Sequence, residues 1–445
     1  MAKNYLLIGC TGSLGQAIVY MLLKNTKHTL YIAIREKKDN TGKILTIEER
    51  MRALCKTIHL DYDDYVDRIH LIPCTYDINR NIQISDADKK RIKENVHVFL
   101  NALADINFNR ELKKATQNNA TTALNWMDFY NDCSGVEQYT YVSTAFTGFH
   151  RASSEITKDI VPEEFHIEES CGHTFETCEQ TYSDILIGKI KDTELEKSVF
   201  ENSYTYTKNL TELLLSQRIK KGALYIVRPS IIVSAVSQPY RGWGKFQTFN
   251  TFVLGAITGK YLYYCMDYEK YRLNTVPVDM VAEDSIRIIK EKQCIVHSCL
   301  THNSKDWNRD DTLIYTQMFD DIYHTYSETP ITYKDKTYHP SHVRVYRSKM
   351  SMLTWVIFLI IKHFYLNLCR YPFVRAVQET MEQLIFTYKY NKLFRAFSNK
   401  NCCFQRIGVD IPSCYTSITH KEIVNEFIHN IPELLNHETI SWLCE

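Results

Sequence analysis

Tyr204 and Lys208, in the run Ser203-Tyr204-Thr205-Tyr206-Thr207-Lys208, are the residues whose types and spacing most directly suggest chemistry. Four positions apart, they would share one face of a helix, and an ammonium beside a phenol favours the phenolate. The pair could therefore act as a proton donor and its tuner near neutral pH. In a chain with 30 tyrosines the same pattern also arises on ordinary surface helices, so its weight depends on its company. Thr144 is the second candidate. It follows Tyr139-Thr140-Tyr141-Val142, where a strand would end, and a hydroxyl there would stand at the mouth of a site built on a parallel sheet. An isolated Ser143-Thr144 pair would more often cap the local backbone.

The elements that must position these groups alternate along the chain. Tyr5-Leu6-Leu7-Ile8 reads as a central parallel strand, and Gly9-Cys10-Thr11-Gly12-Ser13-Leu14-Gly15 leads from it into an apolar helix. Glycines so spaced allow a tight turn, close approach of a pyrophosphate and packing of helix on strand, while the helix N-terminus attracts the anion. Gly9, Thr11, Gly12, Ser13, Leu14 and Gly15 are thus the candidate cradle of a dinucleotide. A strand over 29–34 ends at Arg35, near where a free ribose hydroxyl would call for Asp or Glu. Arg35, with Lys37 and Lys38 nearby, suits the 2′-phosphate of NADPH instead, although Glu36 sits among them.

Helices are expected over 47–55, 86–94 and 112–130, the last carrying Asn119, and strands over 69–74, 96–100, 139–142 and 224–227. This order predicts an α/β fold, a Rossmann-type parallel sheet with helices on both faces. Asp77, after the third strand, is placed to accept from an adenine amino group. Asn101 and Ala102, after the fourth, stand where backbone would approach the cofactor.

The balance of 53 basic against 52 acidic residues gives no overall field to recruit nucleic acid, so any polyanion must be held locally. Fourteen irregularly spaced cysteines read as reduced thiols in a cytosolic setting. Cys171, His173 and Cys178 lack a fourth ligand at a recognisable spacing, and no metal is expected. The first apolar run is short and breaks into glycines, which suits a strand better than a signal peptide.

The glycine loop, Val142-Ser143-Thr144-Ala145, Tyr204-Thr205-Tyr206-Thr207-Lys208, Ile226-Val227-Arg228-Pro229-Ser230-Ile231 and Val276-Pro277-Val278-Asp279-Met280-Val281 occur in that order. Together they resemble an extended short-chain dehydrogenase/reductase, and more closely the fatty acyl-CoA reductases of the male-sterility type. The resemblance covers residues 1–300, and Arg35 matches a position where that family usually carries arginine. It implies NADPH as cofactor and a long-chain acyl-CoA as substrate, reduced through an aldehyde to the alcohol. Thr144 and Tyr204 would hold the developing oxyanion. Tyr204 would supply a proton, and Lys208 would lower its pKa and bond the nicotinamide ribose.

Three departures bear on the fit. Ile8 stands for a threonine, Asn101-Ala102-Leu103-Ala104 for His-Ser-Ala-Ala, and Gly242-Trp243-Gly244-Lys245 lacks the family's acidic, Asn-rich turn. The alternatives are a sugar-nucleotide epimerase, a steroid dehydrogenase, or a non-catalytic nucleotide sensor on the same fold. The intact Thr-Tyr-Lys set argues against the sensor.

From about residue 303 the composition turns aromatic and helical, suggesting a smaller, mainly helical domain over 301–445 that favours a lipid over a sugar nucleotide. The apolar run 352–361 is about half the roughly 20 residues that span a bilayer. Between 336 and 378 there is no acid, while Arg344, Arg347, Lys349, Lys362, Arg370 and Arg375 flank Trp355, Phe358, Phe364 and Tyr365. That pattern suits an interfacial segment at the cytosolic face of an endoplasmic reticulum or peroxisomal membrane, or a buried helix beside an acyl tunnel. Residues 397–404 resemble the C-terminal domain of the same reductases, with Cys402 in place of tryptophan. The final residues carry no peroxisomal or retention signal.

Overall fold

The computed structural model describes residues 2–39, 41–151, 160–244, 248–259, 263–266, 274–299, 315–333, 336–340, 342–347 and 403–404. Most of the expected C-terminal domain lies outside these residues. So do the 352–361 run and all but two positions of 397–404.

Seven strands form one parallel sheet: β1 (Asn4–Ile8), β2 (Thr29–Ile34), β3 (Ile69–Pro73), β4 (Val98–Asn101), β5 (Gln138–Val142), β6 (Ala223–Pro229) and β7 (Gln293–Ser298). Their order is β7-β6-β5-β4-β1-β2-β3, every pair parallel. The chain winds outward from β1 to β3, then returns to start β4 on β1's other side. Between β1 and β4 the connections leave in opposite directions, opening the crevice where such sheets take ligands. The Rossmann-type expectation is met.

Strand β1 is apolar at successive positions because both its faces are covered. Tyr5 and Leu7 pack with Ile18 and Leu22 of α1 (Ser13–Asn25) and with Val278 and Ala282. Leu6 and Ile8 face the other layer, with Trp126 and Leu210. Helix α2 (Ile47–Thr57) starts at a capping box in which Thr46 Oγ1 accepts from Glu49 N and Glu49 Oε2 from Thr46 N. The remaining principal helices of the sheet's layers are α3 (Asp86–Asn95), α4 (Leu112–Thr116), α5 (Thr122–Asn131), α6 (Ser203–Arg218) and α7 (Val278–Ser285).

The expected helix over 112–130 is continuous but not uniform, since a π-helical turn, Gln117–Thr121, joins α4 to α5. Asn119 sits in that turn, buried. Its Oδ1 accepts from Asp105 N at 2.7 Å and its Nδ2 donates to Thr207 Oγ1 at 3.0 Å, tying the loop after β4 to α6. Single π-turns of this kind recur at functional sites. Past residue 300 the chain returns to this unit. Cys403–Phe404 pairs parallel with Ile160–Val161, and the buried Phe404 ring stands 5.5 Å from that of Phe146. Among the described residues no helix is long and apolar enough to cross a membrane, and no group of residues is arranged to hold a metal ion.

Candidate active site and cofactor cleft

Asn202 caps α6, its Oδ1 accepting from Thr205 N at 2.9 Å, so Tyr204 falls in the first turn and Lys208 one turn later. Both line a cavity of about 360 Å³ at the carboxyl ends of β1, β4, β5 and β6. Thr144 joins them from the end of β5, while Gly12, Ser13, Leu14 and Gly15 enter from the glycine loop, Ala102 from after β4 and Ser230 from after β6. Ile106, Phe108, Phe146, Ile231 and Ile232 make much of the wall apolar. The three residues expected to act together are thus brought together. The Thr144 hydroxyl stands close enough to Tyr204 to lower its pKa, and the Phe108 ring packs 5.6 Å from the tyrosine ring.

The electrostatics differ from expectation. Burial pushes the Tyr204 phenol up to about 12, with the Thr144 hydroxyl acting in the opposite direction. Lys208 is 1% exposed, and burial brings its ammonium down to about 7, Glu212 pulling it back up. Its Nζ donates to Val142 O at 2.6 Å and lies 4.5 Å from the Tyr141 ring centroid, against 6.0 Å from that of Tyr204. The lysine is therefore committed to the strand end. In this arrangement the tyrosine is a firmly protonated donor rather than one tuned downward.

Sequence reasoning did not single out the ion pair beneath this face. Glu212, one turn beyond Lys208, holds Arg228 through Nε at 3.0 Å and Nη2 at 2.5 Å, with both side chains fully buried. Arg228 Nη1 meets His166 Nε2 at 3.0 Å, and Asn209 Nδ2 donates to His166 O at 3.0 Å. Removing one partner of such a pair typically costs about 3–5 kcal/mol, because the other charge is stranded. The pair pins α6, which carries Lys208, to β6, which leads into Ser230. Asp279 has a similar part: its carboxylate accepts from Val236, Ser237 and Gln238 N, fixing the loop beyond the cavity wall.

The glycine loop has the shape a pyrophosphate needs. Gly9 has φ +94° and a Cβ there would lie 2.8 Å from Leu103 N; at Gly15 it would lie 2.1 Å from Gly9 O. Neither position admits a side chain. Gly12 has room, and α1 opens there with no side-chain cap and no acid in its first turn, leaving its N-terminal end to an anion.

Gly9 and Thr11 face a second cavity, of about 540 Å³, on the loop's other side. Arg35 lines it as expected, with Lys37, Arg50 and Arg80. Arg50 Nη1 donates to Arg35 O, so α2 and the end of β2 present their cations together. Arg50 and Arg80 were not anticipated; Arg50 was visible only as one charge on an amphipathic helix.

Two of the expected cofactor residues line neither of the two cavities. Asp77 does not line the cavity. Its Oδ1 accepts from Asn79 N at 2.8 Å and Asn81 N at 2.9 Å, its Oδ2 from Asn81 Nδ2 at 2.8 Å, and these bonds hold the carboxyl below its usual range. The carboxylate that was to meet adenine builds a turn. The Asn101 side chain is likewise turned inward, to Tyr139 OH at 3.1 Å and Leu103 N at 3.1 Å, and Ala102 alone of that pair reaches the first cavity. Of the metal candidates, His173 Nδ1 is bonded to Asn209 Oδ1 at 2.7 Å, and burial lowers its pKa to about 4.

Residues 7–285 match the family model described as male sterility protein. The chain is 23% identical over 363 residues to fatty acyl-CoA reductase 1 of Rattus norvegicus, covering 79% of this chain and 66% of that protein. It is 26% identical over 254 residues to fatty acyl-CoA reductase 2 of Mus musculus, covering 54% and 45%. It thus spans 66% of the length of the first of these relatives and 45% of the second. Among solved structures it is similar to the terminal R domain of the myxalamid PKS-NRPS pathway, with a TM-score of 0.62 at 14% identity over 97% of this chain and 91% of that one. A thiolation-reductase di-domain of an archaeal non-ribosomal peptide synthetase gives 0.56 at 17% identity, covering 98% and 76%. These two likenesses concern the fold. With the family model matching well over half of the chain, and the glycine cradle in place for a nicotinamide cofactor, this protein belongs to the male sterility family, that of the fatty acyl-CoA reductases.

Proposed function

We propose that the chain reduces long-chain acyl-CoA thioesters with NADPH, through the aldehyde to the alcohol. The observation that carries this reading is the pair of neighbouring hydroxyls, Thr144 and Tyr204, on the wall of a mainly apolar cavity that the glycine loop also lines. When bound there, the reduced nicotinamide supplies hydride to the thioester carbonyl carbon. Thr144 and Tyr204 donate to the carbonyl oxygen as negative charge develops, and Tyr204 gives up its proton to it. Loss of CoA as its thiol from the thiohemiacetal would leave the aldehyde, and Tyr204, reprotonated from solvent, would donate again once a second reduced nicotinamide had replaced the oxidised one to supply hydride, giving the alcohol. Lys208, when protonated, offers donors to the nicotinamide ribose beside Val142 O. The apolar wall favours an alkyl chain over a sugar, and the cluster Arg35, Lys37 and Arg50 favours a 2′-phosphate over a free hydroxyl.

The names of the relatives support the substrate class, and the basic, aromatic stretch 336–378 supports a place at a cytosolic membrane surface. Two assays test the proposal. NADPH and NADH oxidation against a panel of acyl-CoAs should show turnover with long chains and NADPH. No turnover with any acyl thioester contradicts it. Co-sedimentation with anionic liposomes at low and high salt tests the membrane location, and protein left in the supernatant at both rejects it.

A further inference from the structure

Arg80 stands where sequence reasoning had put an acid. The turn that consumes Asp77 also presents this arginine: Arg80 N donates to Asp77 O at 3.0 Å, and the residue is held at φ +69°, a left-handed conformation unusual for a non-glycine residue. Its carbonyl accepts from Asn125 Nδ2 at 2.8 Å, which ties the turn to α5. Its guanidinium is fixed as well. Nη2 donates to Asn118 Oδ1, Asn118 Nδ2 donates to Asp105 Oδ2 at 2.6 Å, and Arg110 Nε meets the same oxygen at 2.8 Å. Nε is buried with no hydrogen-bond partner. Backbone and side chain are thus both tethered, and the result is a planar cation at the edge of the second cavity, beside Leu103, Asn118 and Thr122.

Arg80 enters this cavity from the turn after β3, whereas Arg35 and Lys37 enter from beyond β2 and Arg50 from α2. A dinucleotide whose pyrophosphate rests on the glycine loop extends its second ribose and then its base away from the loop. The β2–α2 cations suit the ribose end. The lining also includes the apolar Leu103, the Tyr76 ring and the flat Arg80 guanidinium, surfaces that suit a flat purine. We infer that Arg80 is the adenine-binding residue of this chain, its guanidinium lying against the base in place of the carboxylate that Asp77 would have offered. A guanidinium on an aromatic face is favourable at any protonation state of the protein, because arginine stays charged, and its plane matches that of the base. The inference needs a nicotinamide adenine dinucleotide. It does not need the 2′-phosphate or the acyl substrate of the proposed function.

The test measures dissociation constants for NADPH, NADH and reduced nicotinamide mononucleotide, which lacks the adenosine half, on the full chain. Arg80→Asn is the first variant, because asparagine tolerates positive φ. Arg80→Lys is the second, keeping the charge and losing the plane. NADPH and NADH should both weaken, by the same factor of about tenfold, with the mononucleotide unchanged and lysine failing to restore affinity. Should the asparagine variant not fold, the lysine variant decides alone, by an equal loss for NADPH and NADH. A loss confined to NADPH would make Arg80 a 2′-phosphate ligand and overturn the inference. Unchanged affinity, full rescue by lysine, or weakened mononucleotide binding would overturn it too. Failure of the NADPH reading looks different: NADPH and NADH would then bind equally well before any substitution.

Discussion

Two cavities flank one glycine loop, and their walls could hardly differ more. The one at the ends of β5 and β6 is apolar and aromatic, with hydroxyls of Thr144 and Tyr204 and a single deeply buried lysine. The other, toward β2 and β3, carries four cations on partly exposed side chains. In the first, desolvation dominates: it raises the phenol and lowers the ammonium, so small geometric changes have large chemical effects. In the second, charges near solvent recognise charge on the ligand, and each contributes modestly. Loss of a group in the first should therefore abolish chemistry, and in the second should alter affinity and selectivity.

The largest effect that would break or sharpen this contrast is at Lys208. Lys208→Met should reduce turnover by a factor on the order of 10² or more, since it removes the donor beside Val142 O and the one charge among the described residues that line this cavity. Steady-state kinetics with a soluble acyl-CoA reads it, and a variant retaining most of its kcat would remove the lysine from the mechanism. Next is Arg35→Ala, expected to weaken NADPH about tenfold and NADH hardly at all. Unchanged preference would shift the phosphate site to Lys37 or Arg50.

The pH dependence is smaller. With its pKa brought down to about 7, Lys208 is protonated below that and neutral above, so kcat/KM should fall as pH rises through about 7. A profile flat from pH 6 to 9 would mean that the ammonium is not required. Smallest is Tyr206→Phe. This ring is buried against His173 and Phe200, and its hydroxyl makes a single long bond, 3.4 Å, to Cys171 O, so its loss should cost no more than about 1 kcal/mol in a melt and leave turnover intact.

The same contrast separates what the sequence disclosed from what it hid. Strand β1, the glycine loop and the Tyr-Lys helix were legible because local rules produce them: an apolar run, glycines spaced for a tight turn, and a tyrosine and a lysine one helical turn apart. Strand β7 escaped, since Gln293-Cys294-Ile295-Val296-His297-Ser298 has only two strongly apolar positions and owes its place to pairing with β6. The π-turn depended on Asn119 reaching across to Asp105 and Thr207, partners 14 and 88 residues away. Asp77 was misread for a related reason. An acid after a strand can serve a ligand or its own turn, and here the neighbouring Asn79 and Asn81 amides take up the carboxylate. The lysine's effect on the tyrosine was argued from helix spacing alone, which is blind to the Val142 carbonyl that claims the ammonium.

The central claim is that Tyr204 is the proton donor of the apolar cavity and takes no part in holding the cofactor's adenosine half. One sample of Tyr204→Phe tests it directly, with NADPH affinity measured by titration and turnover measured beside the Tyr206→Phe control. The account requires an affinity within a factor of about two of the unaltered protein, together with a loss of turnover on the order of 10² or more that the control does not share. Turnover surviving in Tyr204→Phe, or collapsing in Tyr206→Phe instead, would contradict it.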